Sequence, residues 1–272
     1  MSEVAQQIYF LHIPKTAGTS LRKVIESQFR PEEICPCSVM QELANVVRRD
    51  VSELATYPVI AGHMGYTLLS LLPTPPRVIT MLREPVARTI SRFNYMRQQC
   101  ARSGRVPWGH ARFLDPDVSI NDFLSFEPTR RLITNFQVRN LAQDFDLTKT
   151  YTDFDGNPLM PKMNKLFAYT SPGLSDRELL ATAKRRLASF EFVGITERFR
   201  ESLELLCSTF GWEITMNAPF LNVSSPSLGL NSLLSKQTIA DIQECTLLDA
   251  ELYKFATEIF KSNFSKHFPL HP

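Results

Sequence analysis

Hydrophobic and polar positions along this chain follow two alternating patterns. Short apolar runs predict four β-strands, at Ile8–Leu11, 58–63, Arg77–Leu82 and 190–196. Apolar residues at helical spacing predict helices over residues 21–29, 38–49, 68–72, 86–99, 120–126, 129–142, 176–189, 197–210 and 235–264, the last one broken near Leu247. Strands that alternate with helices predict an α/β fold, with a central, mainly parallel sheet flanked by helices in three layers.

Length and composition narrow the class of protein. The 272 residues with 43% hydrophobic residues are typical of a globular protein, and we interpret residues 1–272 as a single domain. No stretch approaches the roughly 18 apolar residues of a membrane span. The first residues resemble no signal peptide, which predicts a cytoplasmic protein. A net charge of only +2 argues against a general nucleic-acid partner.

The cysteines point to the same compartment. There are five of them, an odd number, at scattered positions, which argues against a disulfide framework and for a reducing environment. Cys35 and Cys37 lack the spacing and partners of a zinc site, and we interpret them as loop thiols.

The segment between the first predicted strand and the first predicted helix has the layout of an anion site. The N-terminus of a helix offers unpaired N–H groups and the positive end of a dipole. The side chains here add a positive charge, hydroxyl donors and a glycine that allows close approach of the backbone. These candidate residues are Lys15, Thr16, Ala17, Gly18, Thr19 and Ser20. An ordinary helix cap with an exposed lysine is the alternative interpretation.

A second candidate anion site follows the third predicted strand. Arg83 stands where this strand ends, and Ser91 comes about two helical turns later. A guanidinium fork with a hydroxyl group suits a monophosphate. We interpret Arg88 and Arg92 as solvated surface arginines.

The predicted topology brings these residues together. Ligands of parallel sheets bind beyond the carboxyl ends of the strands. The first loop, His63 and Arg83 all directly follow predicted strands. We therefore expect them to meet at one edge of the sheet, with His12 shaping the first turn.

The two stretches resemble the PAPS-dependent sulfotransferases, and most closely the branch of the heparan sulfate 2-O- and 6-O-sulfotransferases. The matching motifs are PKTAGTS at residues 14–20 and REPVARTIS at residues 83–91. Looser similarities are AGHMGY at 61–66, NFQVRNLA at 135–142, FVGITE at 192–197 and the closing helix. The resemblance implies a P-loop-like α/β fold, with PAPS (3′-phosphoadenosine 5′-phosphosulfate) as sulfuryl donor and PAP as product.

The resemblance also implies residue roles. The first loop would bind the 5′-phosphosulfate, and Arg83 with Ser91 the 3′-phosphate. Lys15 would stabilise the leaving phosphate and His63 would act as general base, while no metal would be required. The acceptor would be a glycan or another hydroxyl compound, without a nucleic acid or a membrane span. The oligomeric state stays open.

Other residues and functions remain open at this point. The acceptor could instead be a small metabolite, a lipid or a carrier-bound acyl chain. A nucleotide kinase is disfavoured, because Lys15 precedes the glycine of its loop. A non-catalytic nucleotide-binding protein would be favoured if His63 lay far from Lys15. The middle of the chain carries several arginines, among them Arg105, Arg112 and Arg131, and their combination with Trp108 would suit a polyanionic sugar. We interpret most of these arginines as solvated. His110 is a further candidate for contact with the acceptor. Weak cofactor candidates are Asn222, Ser224 and Ser225.

Overall fold

The computed structural model describes residues 6–36, 51–104, 111–115, 117–145, 173–213 and 234–269. Its strands are β1 (Ile8–Leu11), β2 (Val59–Gly62), β3 (Arg77–Leu82) and β4 (Phe192–Ile195). Its α-helices are α1 (Gly18–Glu26), α2 (Val51–Leu54), α3 (Pro85–Ser103), α4 (Ile120–Ser125), α5 (Glu127–Arg130), α6 (Phe136–Ala142), α7 (Asp176–Ala188), α8 (Phe199–Phe210), α9 (Lys236–Cys245) and α10 (Leu247–His267). Short 3₁₀ turns lie at Pro31–Glu33, Tyr66–Leu71, Ala111–Leu114 and Thr196–Arg198.

The four strands form one parallel sheet in the order β2-β1-β3-β4. Almost every residue of these strands is buried, as a sheet covered on both faces requires. The predicted α/β class, the parallel sheet and all four strands are therefore confirmed. From β1 the chain continues to β2 at one edge of the sheet, and from β3 it continues to β4 at the other edge. The crevice beyond β1 and β3 is thus a topological switch point.

The register of the sheet sets which residues meet at this edge. Leu11 pairs with Gly62 on one side and with Thr80 on the other. The residues that follow, His12 and His63, therefore leave the sheet side by side.

The main hydrophobic core lies between the sheet and helices that include α1, α6, α7, α8 and α10. A second apolar cluster lies on the other side of α3, where that helix packs against α4 and α9. Helix α3 therefore has one face in an apolar layer, while its start carries Glu84, whose carboxylate caps the N–H groups of Val86 and Ala87.

Two predicted helices differ from the observed ones. The segment 129–142 is broken, because Asn135 adopts a left-handed conformation (φ 44°) between α5 and α6. The apolar segment 68–72 is not an α-helix, because it overlaps the 3₁₀ turn Tyr66–Leu71 and Leu72 is extended. The predicted break near Leu247 is confirmed, because α9 and α10 are separated at Thr246. The predicted helix 38–49 lies outside the described residues.

Cys35 lies in the irregular segment after the 3₁₀ turn Pro31–Glu33, in agreement with its assignment to a loop. Its side chain is buried in the core beside β2, and its N–H donates to the Val59 carbonyl oxygen over 2.8 Å. The side chains of Cys35, Cys100, Cys207 and Cys245 are all buried. Cys37 lies outside the described residues.

Candidate active site

The loop between β1 and α1 has an unusual backbone. Lys15 (φ 74°) and Ala17 (φ 61°) both adopt the left-handed region, which side-chain-bearing residues seldom enter. Thr16 is buried, and its hydroxyl group donates to the Ile13 carbonyl oxygen over 2.8 Å. This hydroxyl group therefore holds the loop in shape. The left-handed residues Lys15 and Ala17 lie in the turn that leads from the end of β1 to the start of α1.

The start of α1 keeps its first N–H groups available. Among the residues that the structure describes, no side chain caps this helix, and the Ala17 carbonyl oxygen accepts the N–H groups of Ser20 (3.1 Å) and Leu21 (3.3 Å). Gly18 and Ser20 are buried, whereas Thr19 is exposed. An uncapped N-terminus in a crevice is well suited to an anion.

Gly18 has a structural reason beside its predicted role at an anion, which stays a prediction. A Cβ atom at this position would lie 2.1 Å from the Cδ2 and Nε2 atoms of His12. The glycine is therefore required because the imidazole of His12 packs against it. The His12 ring also stacks on Phe10, with 5.1 Å between ring centroids.

Lys15 lies against an aromatic ring. Its Nζ atom is 4.4 Å from the ring centroid of Tyr95, an exposed residue of α3. Burial lowers the pKa of Lys15 to about 8, and the positive charges of Arg92, Arg83 and Arg88 act in the same direction. A negative charge bound nearby would therefore stabilise the charged form of Lys15.

Arg83 reaches the first loop from the end of β3. Its Nη1 atom donates to the Lys15 carbonyl oxygen over 3.3 Å, so the two predicted anion sites border one crevice. Its Nε atom lies 3.9 Å from Oε1 of Glu197 and has no hydrogen-bond acceptor among the described residues. The backbone N–H of Glu84 and the hydroxyl group of Tyr253 also contact the Glu197 carboxylate.

The solvated interpretation of the next two arginines is wrong. Arg88 is only 1% exposed, and its guanidinium stacks on Phe136 at 4.4 Å from the ring centroid. Arg92 is half-buried, and burial lowers its pKa. Arg88, Arg92 and Tyr95 recur at helical spacing along the face of α3 that meets Lys15. Ser91 is half-buried, and its contact with a phosphate stays a prediction.

His63 lies directly beside the first loop. Its Nδ1 atom is 2.6 Å from the His12 carbonyl oxygen, and the two imidazole rings are 4.2 Å apart. A carbonyl oxygen only accepts hydrogen bonds, so Nδ1 carries the proton and Nε2 keeps its lone pair. This proximity removes the condition that would favour a non-catalytic protein.

The charge state of His63 follows from its surroundings. Burial above all, together with the charges of Arg92 and Arg22, lowers the pKa of His63 to about 4, although the hydrogen bond with the His12 carbonyl oxygen acts in the opposite direction. Burial and the neighbouring cations also hold the pKa of His12 well below its ordinary value. Both imidazoles are therefore neutral at neutral pH.

Several predicted or suspected contacts lie elsewhere. Arg112 pairs with Asp115 and Asp122, and Arg131 pairs with Glu127, so the solvated interpretation holds for both arginines. The remaining acceptor and cofactor candidates in loops lie outside the described residues: Arg105, Trp108, His110, Asn222, Ser224 and Ser225.

Sequence reasoning missed four residues that build the crevice. These are Arg92, Tyr95, Gln137 and Glu197. For Arg92 and Tyr95 a signal exists, because both continue the face of α3 that starts with Arg88. For Gln137 and Glu197 the only signal is their place in segments that resemble the family, since their contacts depend on the tertiary structure.

These observations define a class of protein. It is an α/β protein whose crevice at the switch point of a parallel sheet combines an uncapped helix start, several cations and a neutral histidine. The described residues contain no cluster of three His, Cys, Asp or Glu side chains that could hold a metal ion. Among the helices that the structure describes, none has the length and hydrophobicity of a transmembrane span.

Comparison with known proteins identifies relatives. No protein-family model matches the chain. Over 94% of its length, the chain is 26% identical to heparan-sulfate 6-O-sulfotransferase 3-B of Danio rerio, of which it covers 64%. It is 26% identical to heparan-sulfate 6-O-sulfotransferase 3 of Homo sapiens and 25% identical to the human heparan-sulfate 6-O-sulfotransferase 1, covering 58% and 66% of these proteins, again over 94% of its own length.

The chain is therefore similar over most of its length to heparan-sulfate 6-O-sulfotransferases, the branch that its motifs resemble. It spans about three-fifths of the length of the curated relatives that it matches.

Proposed function

We propose that this protein is a PAPS-dependent O-sulfotransferase that modifies a hydroxyl group of a carbohydrate. The observation that carries the proposal is the shared crevice, in which Arg83 bonds the Lys15 loop and His63 adjoins the same loop. The names of its relatives point to heparan sulfate as the first acceptor to test. A cytoplasmic location stays a prediction, as do the single domain and the absence of a required metal.

The crevice residues fit a doubly phosphorylated nucleotide. The buried Nε atom of Arg83 has no hydrogen-bond partner among the described residues, which is costly unless an anion compensates. The uncapped start of α1 and Lys15 offer donors to the phosphosulfate, and Arg83 and Ser91 to the 3′-phosphate. Arg92 adds a further positive charge near Lys15.

Bound PAPS supplies the sulfuryl group, and transfer breaks its S–O bond to the 5′-phosphate and forms an S–O bond to the acceptor oxygen. The residues then have three tasks. His63 takes the acceptor proton on Nε2, because Nδ1 is occupied by the His12 carbonyl oxygen. Lys15 stabilises the negative charge that develops on the leaving phosphate, and the α1 start orients the phosphosulfate.

The negative charge of the bound donor would also change the pKa of His63. The low pKa of His63 in the free protein is caused by burial and then by neighbouring cations. Negative charge bound near Arg92 opposes that repulsion and raises the pKa of His63, which makes its imidazole a stronger base. The donor would thus increase the basicity of the residue that accepts the proton.

The test is transfer of radiolabelled sulfate from PAPS to heparan sulfate. Replacing His63 with Ala should reduce the rate about a hundredfold or more, the usual contribution of a general base. Replacing Lys15 with Ala should reduce it comparably, whereas His267→Ala, an exposed histidine bonded to Ser208, should leave it unchanged. Unchanged turnover in either of the first two variants would refute the assigned role.

Two further experiments test the acceptor and the enzyme class separately. Transfer only to a small metabolite, lipid or carrier-bound acyl chain would keep the donor and reject the carbohydrate acceptor. Calorimetric binding of ATP with Mg²⁺ but not of PAP would contradict the whole proposal and favour a nucleotide kinase.

A further inference from the structure

Gln137 is a buried residue that holds the backbone of Arg83 from both sides. It is the second residue of α6, and its side chain is inaccessible to solvent. Its Oε1 atom accepts the Arg83 N–H over 3.0 Å, and its Nε2 atom donates to the Arg83 carbonyl oxygen over 2.9 Å. One amide side chain therefore satisfies both backbone groups of a residue that has just left the sheet.

Gln137 is itself fixed by two helices that cap each other. The Asp249 carboxylate of α10 accepts the N–H groups of Gln137 (3.1 Å) and Val138 (2.8 Å) at the start of α6. In return, Oδ1 of Asn135 accepts the N–H group of Leu248 over 3.0 Å at the start of α10. A shift of the Gln137 backbone would break its bond to Asp249, and the reciprocal cap by Asn135 holds the two helix starts together.

The consequence appears at the guanidinium of Arg83. With its backbone held by Gln137, the side chain of Arg83 extends to the Lys15 carbonyl oxygen. Glu197 supports it from the other side at 3.9 Å. A displacement of the Arg83 backbone would move the guanidinium relative to the Lys15 loop, and so would change the distance between the two anion sites.

We propose that Gln137 is a positioning residue that sets the place of Arg83 for binding the 3′-phosphate of the donor nucleotide. This inference rests on the proposed function, since it assumes that PAPS and PAP are the ligands. It makes a specific claim about the ligand: the contribution of Gln137 depends on the 3′-phosphate. The affinity for a nucleotide that lacks this group, adenosine 5′-monophosphate, should not change when Gln137 is replaced.

The test compares the calorimetric affinities of PAP and of adenosine 5′-monophosphate. The wild-type protein should prefer PAP. In Gln137→Met, which keeps side-chain length but removes both hydrogen bonds to Arg83, that preference should fall about tenfold, while the affinity for the monophosphate stays near the wild-type value. If Gln137 had only a structural role, its replacement would lower the affinities for both ligands by similar factors.

The matched control is Gln143→Met. Gln143 is equally buried, but its side-chain Oε1 and Nε2 atoms have no hydrogen-bond partner within the part of the chain that the structure describes. Its replacement should leave the preference for PAP unchanged. An equal loss in both variants would overturn the positioning role.

A second variant covers a failure of Gln137→Met to fold. Gln137→Asn keeps the amide but is too short to reach both backbone groups of Arg83, so a smaller loss of the PAP preference is expected. If the preference is intact in a folded Gln137 variant, the positioning role is wrong while the proposed function stands. If the wild-type protein shows no preference for PAP, the proposed function itself is contradicted.

Discussion

The cations of the crevice and those of the outer surface are held in opposite ways. On the surface, Arg30 bonds Glu33 and Arg112 bonds Asp122, and these partners raise the pKa of both arginines. In the crevice, burial and mutual repulsion lower the pKa of Lys15, and burial lowers that of Arg92. Neither Lys15 nor Arg92 has a carboxylate within ion-pair distance in the described ranges.

This difference separates charges that are neutralised within the protein from charges that await a ligand. Surface ion pairs are screened by water and contribute little to stability or to binding. Clustered cations that are partly buried repel one another and cost free energy, and an anion recovers that cost when it binds. If the proposed function is correct, the repulsion among the crevice cations lowers the stability of the free protein and increases its affinity for the nucleotide.

The largest effect is expected from removing one crevice charge. Arg92→Gln should weaken PAP binding about tenfold at low ionic strength, because a charged donor near the phosphosulfate is lost. The same change should raise the pKa of His63, since Arg92 is among the charges that lower it. Calorimetry measures the affinity, and NMR titration of the imidazole measures the pKa.

The matched surface variant is Arg112→Gln. Its guanidinium pairs with Asp115 and Asp122, away from the crevice. PAP affinity and the His63 titration should both stay at wild-type values in this variant. Equal effects of the two substitutions would show that net charge, rather than the arrangement of the crevice, governs binding.

A smaller effect is expected from pH. The pKa of Lys15 lies at about 8, so this residue is charged below that pH and loses its charge above it. PAP affinity should therefore fall as the pH rises through 8, by less than about tenfold per pH unit for a single proton. Lys15→Arg keeps its charge at alkaline pH, and its affinity should stay flat over that range. A parallel decline in both proteins would assign the effect to another group.

The sequence predicted the parts of the fold that depend on local patterns. Apolar runs located every strand within the described ranges, because strands buried on both faces have little room for polar residues. The strand-end rule then placed His63 and Arg83 beside the loop of Lys15 before any register was known. Short-range signals also located the helix that starts after Ser175, whose hydroxyl group and Glu178 form the expected capping box.

Contacts between distant segments could not be predicted in this way. Asn135 interrupts a segment with good helical spacing because its side chain caps α10, more than a hundred residues away. Arginine is a residue type that usually lies at the surface, yet Arg88 lies in the interior near Asp249. The carbonyl oxygen of His12 that fixes the tautomer of His63 carries no sequence signal at all.

The most direct test of the central claim is a crystal structure of the protein with PAP bound. The account predicts the 5′-phosphate at the start of α1 beside Lys15, the 3′-phosphate within hydrogen-bond distance of the Arg83 guanidinium, and Nε2 of His63 facing the same crevice. A nucleotide bound outside this crevice, or one whose 3′-phosphate points away from Arg83, would contradict it.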